Sequence, residues 1–332
     1  MTSLIIRVDA VHETGLAHAA RCSRLIDLLP ERPRVHVLGQ GEALSEFFPY
    51  DKIVPLKGPV DVFLKALVIE TEADAVLVDQ PAHDPVLWSA LDALPQLKRL
   101  MVDDFGSDAP ADLVFNGTVI EDYHRYPNLR TGGHALCGGE YALIAPVFAK
   151  SRHDDARKGP VIAICGGGDR AADWAMQLAE HGPALAKPHP FIMIVGSSFP
   201  DFEGLKRMTV LNGGIAKQGL PVHQIASHLA RAPAAIMTGG MVVYEALAAG
   251  VPSIVFPQLE NLIPEIDWFA ERGALINLGF ENGDDITAVS EQLKSLLADP
   301  AKAAALSAKG PELIDGLGMT RAAEAINQML SS

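Results

Sequence analysis

The sequence predicts an α/β protein with two doubly wound parallel sheets. Apolar runs of strand length alternate with helical segments along the chain, the pattern of βαβ units. The alternation pauses at one polar, charged stretch over 150–158 and then starts again. A length of 332 residues also suits two domains at about 100–200 residues each. We therefore expect a first domain over 1–149, a linker over 150–158 and a second domain over 159–332.

Composition and charge argue against several classes of protein. Hydrophobic residues make up 48% and charged residues 20%, which is ordinary for a globular chain. The formal net charge of −14 argues against a nucleic-acid binder, which needs a basic face for phosphates. It also argues against general adsorption to anionic membranes. An anionic ligand would have to be held locally, by helix N-termini and a few basic side chains.

The cysteines and the N-terminus predict a compartment. Cys22, Cys137 and Cys165 are far apart and lack CxxC spacing, which disfavours a disulfide framework or a structural zinc site. The N-terminus has no charged segment followed by an apolar core, so no signal peptide is expected. No apolar run approaches about 18 residues, so no membrane span is expected. We therefore expect a cytoplasmic protein; the sequence does not predict its oligomeric state.

The first half begins with a strand over 3–8, followed by a glycine-containing loop and a helix. Later strands are expected at 34–38, 52–56, 75–79, 99–104 and 111–116, and helices at 60–70 and 88–94. Three of the strands end on acids: Asp9, Asp79 and the pair Asp103-Asp104. The carboxyl ends of parallel strands share one edge, where ligands bind in open α/β sheets. The acids therefore either line a site or cap the helices that follow.

His18 is expected near the start of the first helix, at the same edge of the sheet as Asp9 and Asp79. A histidine in this position is a candidate general base. The alternative is a histidine that only caps or packs the helix. Because Asp103 and Asp104 are adjacent, their side chains are expected to point in opposite directions, which disfavours a paired metal site.

The second half repeats the α/β pattern. Strands are expected at 161–165, 191–196, 208–211, 234–237, 253–257 and 274–279. Helices are expected at 172–181, 222–230, 242–249, 262–272, 286–297, 301–308 and 319–330. The first strand is followed by the turn Gly166-Gly167-Gly168-Asp169, which permits close approach of the backbone to a ligand or to the opposite domain. This turn matches neither a P-loop nor a dinucleotide fingerprint.

A second glycine turn, Gly239-Gly240, lies between a strand and a helix that starts around Met241 and Val242. A helix that opens on such a turn offers free N–H groups and a positive dipole end, which suits a phosphate. Glu245 lies about one turn into the helix, where a carboxylate could accept hydrogen bonds from ribose hydroxyls. Gly250 is expected just past the helix end. The alternative is a glycine-capped turn without ligand and a solvated Glu245.

Two motifs resemble a known family. Arg7-Val8-Asp9 with Gly15-Leu16-Ala17-His18-Ala19-Ala20-Arg21-Cys22 resembles the R-x-D…G-x-G-H-x-x-R-C signature of the UDP-2,4-diacetamido-2,4,6-trideoxy-β-L-altropyranose hydrolases. These enzymes of pseudaminic acid biosynthesis are related to the MurG glycosyltransferase. The second glycine turn, with Glu245 and the later pair Glu260-Asn261, resembles the uridine diphosphate site of the GT-B superfamily.

The resemblance implies a GT-B fold, in which two domains face a cleft, and inverting hydrolysis of a UDP-linked amino sugar. It implies that His18 orients or deprotonates the attacking water and that Asp9 and Asp79 position His18 or sugar groups. Arg21 would either contact the substrate or pair with an acid inside the first domain. The remaining residues implied to bind substrate or nucleotide are Gly15, Gly166, Gly167, Gly168, Gly239, Gly240, Met241, Val242, Glu245, Glu260 and Asn261. No cofactor and no metal are implied.

The chain departs from the family pattern at three places. Ala17 replaces the second glycine of the histidine motif, Gln80-Pro81 replaces a His-Tyr pair, and Glu260-Asn261-Leu262 replaces D-N-Q. The Tyr that Pro81 replaces belongs to the family's active site. Two alternatives therefore stay open: a GT-B glycosyltransferase in which His18 deprotonates an acceptor hydroxyl, and a nucleotide-sugar binding protein without activity.

Overall fold

The structure is a computed structural model that describes residues 2–11, 16–152, 157–166, 172–280 and 286–331. The chain divides into two compact units. Unit 1 comprises Met1–Leu143 and Leu317–Ser332, and unit 2 comprises Ile144–Gly316. All numbers of strands and helices below refer to the described residues.

Unit 1 contains a seven-stranded sheet in which each neighbouring pair is parallel. Its strands are β1 (Ser3–Val8), β2 (Arg34–Gly39), β3 (Lys52–Pro55), β4 (Ala75–Asp79), β5 (Lys98–Val102), β6 (Leu113–Asn116) and β7 (His134–Cys137). Their order is β3-β2-β1-β4-β5-β6-β7, so the direction of winding reverses between β1 and β4. The helices of this part are α1 (Ala17–Asp27), α2 (Leu44–Phe47), α3 (Val60–Thr71) and α4 (Pro85–Asp92).

Both faces of this sheet are buried, as expected for a parallel sheet. Leu4 and Ile6 of β1 pack in one core with Leu25 of α1. Ile5, between them, points to the other face and packs in a core with Leu64 of α3 and Leu87 of α4. The unbroken apolar runs that predicted these strands therefore reflect burial on both sides.

Unit 2 contains a six-stranded parallel sheet in the order β10-β9-β8-β11-β12-β13. Its strands are β8 (Val161–Cys165), β9 (Phe191–Val195), β10 (Ile215–Gln218), β11 (Ala235–Met237), β12 (Ser253–Val255) and β13 (Ile276–Asn277). Its helices are α5 (Val147–Lys150), α6 (Ala172–Leu185), α7 (Phe202–Leu211), α8 (Val222–Arg231), α9 (Met241–Ala248), α10 (Ile263–Glu271), α11 (Ile286–Ala298) and α12 (Pro300–Leu313). Here the winding reverses between β8 and β11.

The last helix, α13 (Gly318–Ser331), belongs to unit 1 rather than to the second domain expected over 159–332. Its buried face, Met319, Ala322 and Ile326, packs in the same core as α1. At its start, a Cβ on Gly318 would lie 2.4 Å from the backbone oxygen of Ala142, so the chain approaches unit 1 closely there. The amphipathic pattern predicts the helix, but it does not say which sheet the helix covers.

The structure describes both ends of the expected linker, residues 150–152 and 157–158, and both belong to unit 2. Arg152 donates from Nε to the backbone oxygen of Ala248 at 2.6 Å. The Arg157 guanidinium donates to four backbone oxygens at 2.8–3.0 Å, those of Leu229, Ala230, Ala249 and Gly250. These carbonyls lie at or just past the ends of α8 and α9, where backbone oxygens lack the usual partner four residues on, which explains why arginines of a polar stretch dock there.

One predicted strand is wrong. The run 208–211 lies in α7, and the strand of that region is β10, which begins at Ile215. Val210 is 57% and Leu211 84% exposed, whereas Thr209 is fully buried, so the run has one buried and one exposed side, as in a helix. Short apolar runs do not distinguish strand from helix by periodicity. The edge strand β7 was not expected, because only two of its four residues are aliphatic.

Candidate active site

The candidate active site of unit 1 lies where β1 and β4 are neighbours although they are distant in sequence. Val8 at the end of β1 pairs in register with Asp79 at the end of β4. Because the strand order reverses here, the loops that follow the two strands diverge, and this is where open α/β sheets bind ligands. The chain leaving β1 returns as α1, whose second residue is His18.

The spacing of His18, Arg21 and Cys22 places all three on one face of α1. Residues three and four apart are neighbours on a helix surface. All three side chains contact Asp79: His18 Nδ1 at 2.6 Å, Arg21 Nε and Nη2 at 2.7 Å, and Cys22 Sγ at 3.3 Å. The H-x-x-R-C pattern therefore encodes one side of a buried polar cluster.

Asp79 is fully buried and its hydrogen-bonding capacity is filled. Oδ1 contacts His18 and Arg21, and Oδ2 contacts Arg21 and Cys22. Four contacts match the roughly four lone-pair positions of a carboxylate. Burial on its own raises the pKa of Asp79, but the charge and hydrogen bonds of Arg21 and the hydrogen bond of His18 outweigh it and lower that pKa to about 2. Asp79 is therefore an anion at neutral pH.

The charge of Asp79 fixes the tautomer of His18. An ionised carboxylate only accepts, so the 2.6 Å contact requires a proton on Nδ1, which donates to Asp79. Arg21 Nη2 also lies 3.1 Å from Nδ1, but a guanidinium only donates, so this contact is proximity rather than a second hydrogen bond. Among the described residues both contacts of the ring go to Nδ1. In the neutral ring the lone pair therefore lies on Nε2.

Arg21 joins a second acid to the cluster. Its Nη1 and Nη2 donate to the two carboxylate oxygens of Asp104 at 2.9 and 3.0 Å. The guanidinium thus forms bidentate pairs with Asp79 and Asp104. Of the two roles open for Arg21, the structure shows pairing with acids. Asp104 was not among the expected site residues, although its strand-end position was the available signal.

Asp9 was expected to position His18 or sugar groups, but its hydrogen bonds within the described part of the chain are to other residues. Both of its oxygens are engaged by Arg7, at 2.6 and 2.9 Å, and Oδ1 also accepts from the backbone N–H of Gln40 at 2.7 Å. The Asp9 side chain thereby links the ends of β1 and β2. Its carboxylate supports the sheet edge, whereas the Asp79 carboxylate orients His18.

Asp103 faces away from Asp104, as adjacent residues were expected to do. It accepts from Tyr126 Oη at 2.7 Å and from the backbone N–H of Gly106 at 2.6 Å. Burial raises the pKa of Asp103, and the same burial with the nearby Asp103 charge raises the pKa of Tyr126. Asn116 donates to Tyr126 Oη at 2.7 Å and completes the group. Tyr126 lies in an irregular segment and carried no sequence signal.

Unit 2 has a glycine turn at its own reversal point, at the end of β11. Gly239 and Gly240 have φ of +101° and +81°, conformations that side chains rarely adopt. No side chain caps the N-terminus of α9, which begins at Met241. A Cβ on Gly240 would meet nothing within 4 Å, so the space in front of this helix is open. Met241 and Val242 are half-buried, and they belong to the first turn of α9, whose N–H groups have no intrahelical acceptor.

The end of α9 confirms the expected stop at Gly250. Gly250 has a φ of +65°, its N–H donates to Leu247 at 2.9 Å, and the N–H of Val251 donates to Ala246 at 2.9 Å. This is a Schellman ending. Glu245 within the helix is only 8% exposed and makes an interaction, so it is not the solvated helix residue of the alternative reading.

The other expected residues of unit 2 lie at the same edge of its sheet or outside the described residues. Glu260 and Asn261 are exposed on a short 3-10 helix, Glu260–Leu262. A Cβ on Gly239 would lie 2.9 Å from Leu262 Cδ1, so this segment borders the glycine turn. Gly166 is exposed directly after β8. Gly15, Gly167 and Gly168 lie outside the described residues.

Two further findings bear on the class of protein. Among the described residues, no group of three or more His, Cys, Asp or Glu side chains is arranged to hold a metal ion. No helix of the described ranges has the length and apolarity needed to cross a bilayer.

Two parallel Rossmann-like units, each with polar or glycine-rich residues at its reversal point, define a fold of the GT-B type. The comparisons with solved structures confirm this fold. The chain is similar to MurG of Acinetobacter baumannii, with a TM-score of 0.64, 12% identity and coverage of 99% of this chain and 100% of that one. It is also similar to the UDP-GlcNAc 2-epimerase of Neisseria meningitidis, solved with bound UDP-GlcNAc, with a TM-score of 0.63, 13% identity and 100% coverage of both chains.

In sequence, the chain is similar to the spore coat polysaccharide biosynthesis protein SpsG of Bacillus subtilis (strain 168). The two are 24% identical over 328 residues, which cover 95% of each chain. No protein-family profile matches the chain.

Proposed function

We propose that this protein is a nucleotide-sugar hydrolase that cleaves the anomeric C–O bond of a UDP-linked amino sugar and releases UDP and free sugar. The observation that carries the proposal is the contact of 2.6 Å between His18 Nδ1 and Asp79 Oδ1. A histidine with one ring nitrogen held by a buried carboxylate and the other available is the arrangement of a general base. The resemblance of the His18 motif to the pseudaminic acid pathway hydrolases supports water as the nucleophile.

In the proposed step, a water oxygen attacks the anomeric carbon as the bond from that carbon to the diphosphate oxygen breaks. His18 Nε2 takes the proton of the water, and the electron pair of the broken bond leaves with UDP. Attack opposite the leaving group inverts the configuration. The Asp79 carboxylate stabilises the imidazolium that forms. Arg21 keeps Asp79 ionised, and the hydrogen bonds from Arg21 and Cys22 hold its carboxylate in place.

The nucleotide is proposed to bind unit 2. The N–H groups at the start of α9 would donate hydrogen bonds to the diphosphate oxygens, and the helix dipole would offset the diphosphate charge. This local arrangement suits a chain with a net charge of −14, because it needs no general basic surface. Glu245 would accept hydrogen bonds from the ribose, with Glu260 and Asn261 at the border of the same turn.

The comparisons support the coarser part of the proposal. The Neisseria meningitidis epimerase has this fold and binds UDP-GlcNAc. SpsG of Bacillus subtilis bears a name that refers to polysaccharide biosynthesis. Both facts favour a nucleotide-sugar enzyme, and they are equally compatible with sugar transfer.

A glycosyltransferase is the second candidate, and one cavity favours it. Unit 1 has a mainly apolar cavity of about 380 Å³ at the carboxyl ends of β2 and β3, lined by Gly39, Gln40, Gly41, Glu42, Leu44, Ser45, Ile53, Pro55 and Leu56. An acceptor bound there would place a hydroxyl instead of water near His18, and the same base would remove its proton. The cavity adjoins Asp9, since Gln40 donates its backbone N–H to that residue.

The experiment that tests these proposals is to incubate the protein with UDP-GlcNAc and other UDP-amino sugars and to follow UDP release and the fate of the sugar. UDP release without an acceptor supports the hydrolase. Release only when a sugar or lipid-linked acceptor is added supports the transferase. Conversion to a different UDP-sugar without UDP release supports an epimerase. UDP-sugar binding with no conversion rejects an enzymatic role.

A further inference from the structure

The buried group around Asp79 holds one cation and two acids. Arg21 is only 7% exposed, and it donates to Asp79 through Nε and Nη2 and to Asp104 through Nη1 and Nη2. Burial on its own lowers the pKa of Arg21, but the charges and hydrogen bonds of both acids outweigh it and raise that pKa. Burial also raises the pKa of the Cys22 thiol, which stays neutral. When His18 is neutral, the group therefore has one more negative charge than positive charges.

Arg21 opposes the positive charge that His18 acquires when it takes a proton. Its Nη2 lies 3.1 Å from His18 Nδ1. Its two hydrogen bonds to Asp79, both of 2.7 Å, also offset the negative charge that would stabilise an imidazolium. If Arg21 and Asp79 were the only charges, they would cancel each other, and protonation of His18 would leave an unpaired positive charge at a largely buried site. The contact between His18 and Asp79 therefore does not by itself make His18 an effective base.

Asp104 supplies a second negative charge to the same guanidinium. Its Oδ2 lies 3.0 Å from Arg21 Nη2, the nitrogen that is also 3.1 Å from His18 Nδ1, so one atom is close to both the carboxylate and the ring. Bidentate hydrogen bonds from an arginine are typical of an ionised carboxylate. The side chain of Asp104 is 32% exposed, whereas that of Asp79 is fully buried, so less desolvation opposes the charge of Asp104.

The other charged groups on α1 and on the elements packed against it do not provide this balance. At the end of β1, Arg7 and Asp9 pair with each other at 2.6 Å. Arg321 of α13 donates to a backbone oxygen outside the group at 2.7 Å. The remaining charged side chains of α1, α2 and α13 are exposed or half-buried and are Arg24, Asp27, Glu46 and Glu324. Among the described residues, Asp104 is thus the acid that acts on Arg21 besides Asp79.

We propose that Asp104 is a positioning residue of the reaction, which offsets the charge of Arg21 so that the charge of Asp79 can stabilise a protonated His18. This inference rests on the proposed function, in which His18 takes the proton of the nucleophile. Proton uptake then converts a group with an excess of negative charge into a neutral one. Asp104 acts through Arg21 and through its own charge, because Arg21 Nη2 is close to both its carboxylate and the ring.

The test follows the protonation of His18 directly and without substrate. Histidine is labelled with ¹³C at Cε1, the His18 signal is assigned by its absence in His18→Gln, and NMR spectra are recorded over a series of pH values. We expect Asp104→Asn to move the midpoint of the His18 titration to a pH about one unit lower. An opposite charge within about 4–6 Å shifts a titration by about one to three pH units, and the partial exposure of Asp104 favours the lower end of this range.

Two further variants serve as controls. Asp104→Glu keeps the charge and should largely restore the midpoint. Asp108→Asn removes the same charge from an exposed position of the same loop and should leave the midpoint unchanged. The signals of the other histidines report whether each variant is folded.

The sign of the change separates this role from a structural one. If Asp104 only held Arg21 in place, its replacement would loosen the guanidinium from Asp79, and the His18 midpoint would stay or rise. An unchanged or raised midpoint in Asp104→Asn, or an equally low midpoint in Asp104→Glu, would therefore overturn the proposal. As a second readout, the acid limb of the pH profile of kcat/KM for UDP release should move to lower pH in Asp104→Asn. Lack of UDP release by the wild-type protein would instead reject the proposed function, and the titration without substrate would still be readable.

Discussion

His18 Nδ1 and Asp79 Oδ1 lie 2.6 Å apart although the two residues are 61 positions apart in the chain. The contact exists because β1 and β4 are neighbours in the sheet while β2 and β3 extend it on the other side. Its chemical effect is to hold one imidazole nitrogen and leave the other available. The predictions below follow from this pair, from the glycine turn of unit 2 and from the end of α9.

Replacing the proposed base should stop turnover without disturbing nucleotide binding. His18→Gln removes the basic Nε2 but keeps a polar side chain of similar size. We expect loss of UDP release from UDP-sugars and an unchanged dissociation constant for UDP, measured by calorimetry. His134→Gln, at an exposed position of β7, is the matched control and should keep the rate. An unimpaired His18→Gln enzyme would exclude His18 as the base.

Asp79→Asn should lower both the rate and the stability. An amide can donate to Nδ1 and so favour the wrong tautomer of His18, which in a comparable histidine–aspartate pair lowers kcat about 10⁴-fold. It also leaves Arg21 buried without one of its two anions, and breaking a buried pair costs about 3–5 kcal/mol. Denaturant unfolding and single-turnover rates measure the two effects. Asp104→Asn is the comparison: its side chain is 32% exposed, so the loss of stability should be smaller.

The lowered pKa of Asp79 predicts how stability depends on pH. Because its folded-state pKa is about 2 against an ordinary value of 3.8, the ionised form is favoured by folding. The contribution, about 2 kcal/mol, is fully present above about pH 4 and is lost as pH falls towards 2. Urea unfolding at a series of pH values from 5 to 2 measures it. In Asp79→Asn, the decline between pH 4 and 2 should be shallower; the same slope in both proteins would contradict the assignment.

Glu245→Ala should weaken UDP binding. Loss of hydrogen bonds from a carboxylate to the ribose should cost about 1–3 kcal/mol, or roughly 5- to 150-fold in the dissociation constant. Glu271→Ala, at the exposed end of α10, removes the same charge elsewhere in unit 2 and should leave the affinity unchanged. Unchanged affinity in the Glu245 variant would remove this residue from the nucleotide site.

The variants Gly250→Ala and Gly273→Ala should distinguish the cost of a positive φ from the cost of a clash between the added Cβ and its neighbours. Both have positive φ, +65° and +71°, and both would pay about 1 kcal/mol for the backbone conformation. A Cβ on Gly250 would also lie 2.9 Å from the backbone oxygen of Ser307, whereas a Cβ on Gly273 would meet nothing within 4 Å. We expect Gly250→Ala to be the more destabilising in thermal unfolding. Equal effects would show that the chain relaxes around residue 250.

Much of the fold could be predicted from the sequence because a parallel strand that is buried on both faces consists of a continuous apolar run. Strands β1, β4 and β8 have the expected bounds. Among the edge strands of the described residues, β3 and β13 were expected, but β7 and β10 were not: β7 has few aliphatic residues, and β10 follows a helix whose last residues are exposed and apolar. Local patterns report local burial, and edge strands have little of it.

The sequence predicts the part of the candidate site that depends on spacing within a helix. It does not predict the part that depends on how neighbouring strands are aligned. His18, Arg21 and Cys22 share a face by their spacing, and strand-end acids predict a common edge. The register of β1, β4 and β5 then determines that Asp79 and Asp104, rather than Asp9, meet α1. Tyr126 reaches Asp103 through an irregular segment, which no periodicity describes.

The return of α13 to unit 1 has a consequence for synthesis. The core of unit 1 contains Met319, Ala322 and Ile326, which leave the ribosome after the whole of unit 2. Domains generally fold as units, and N-terminal ones fold first during synthesis at about 5–20 residues per second. In this chain the order is the opposite. Unit 2 can complete its core first, whereas the core of unit 1 is complete only after α13 has been synthesised and packs beside α1. Nascent unit 1 thus keeps apolar surface exposed until synthesis of the chain is nearly finished.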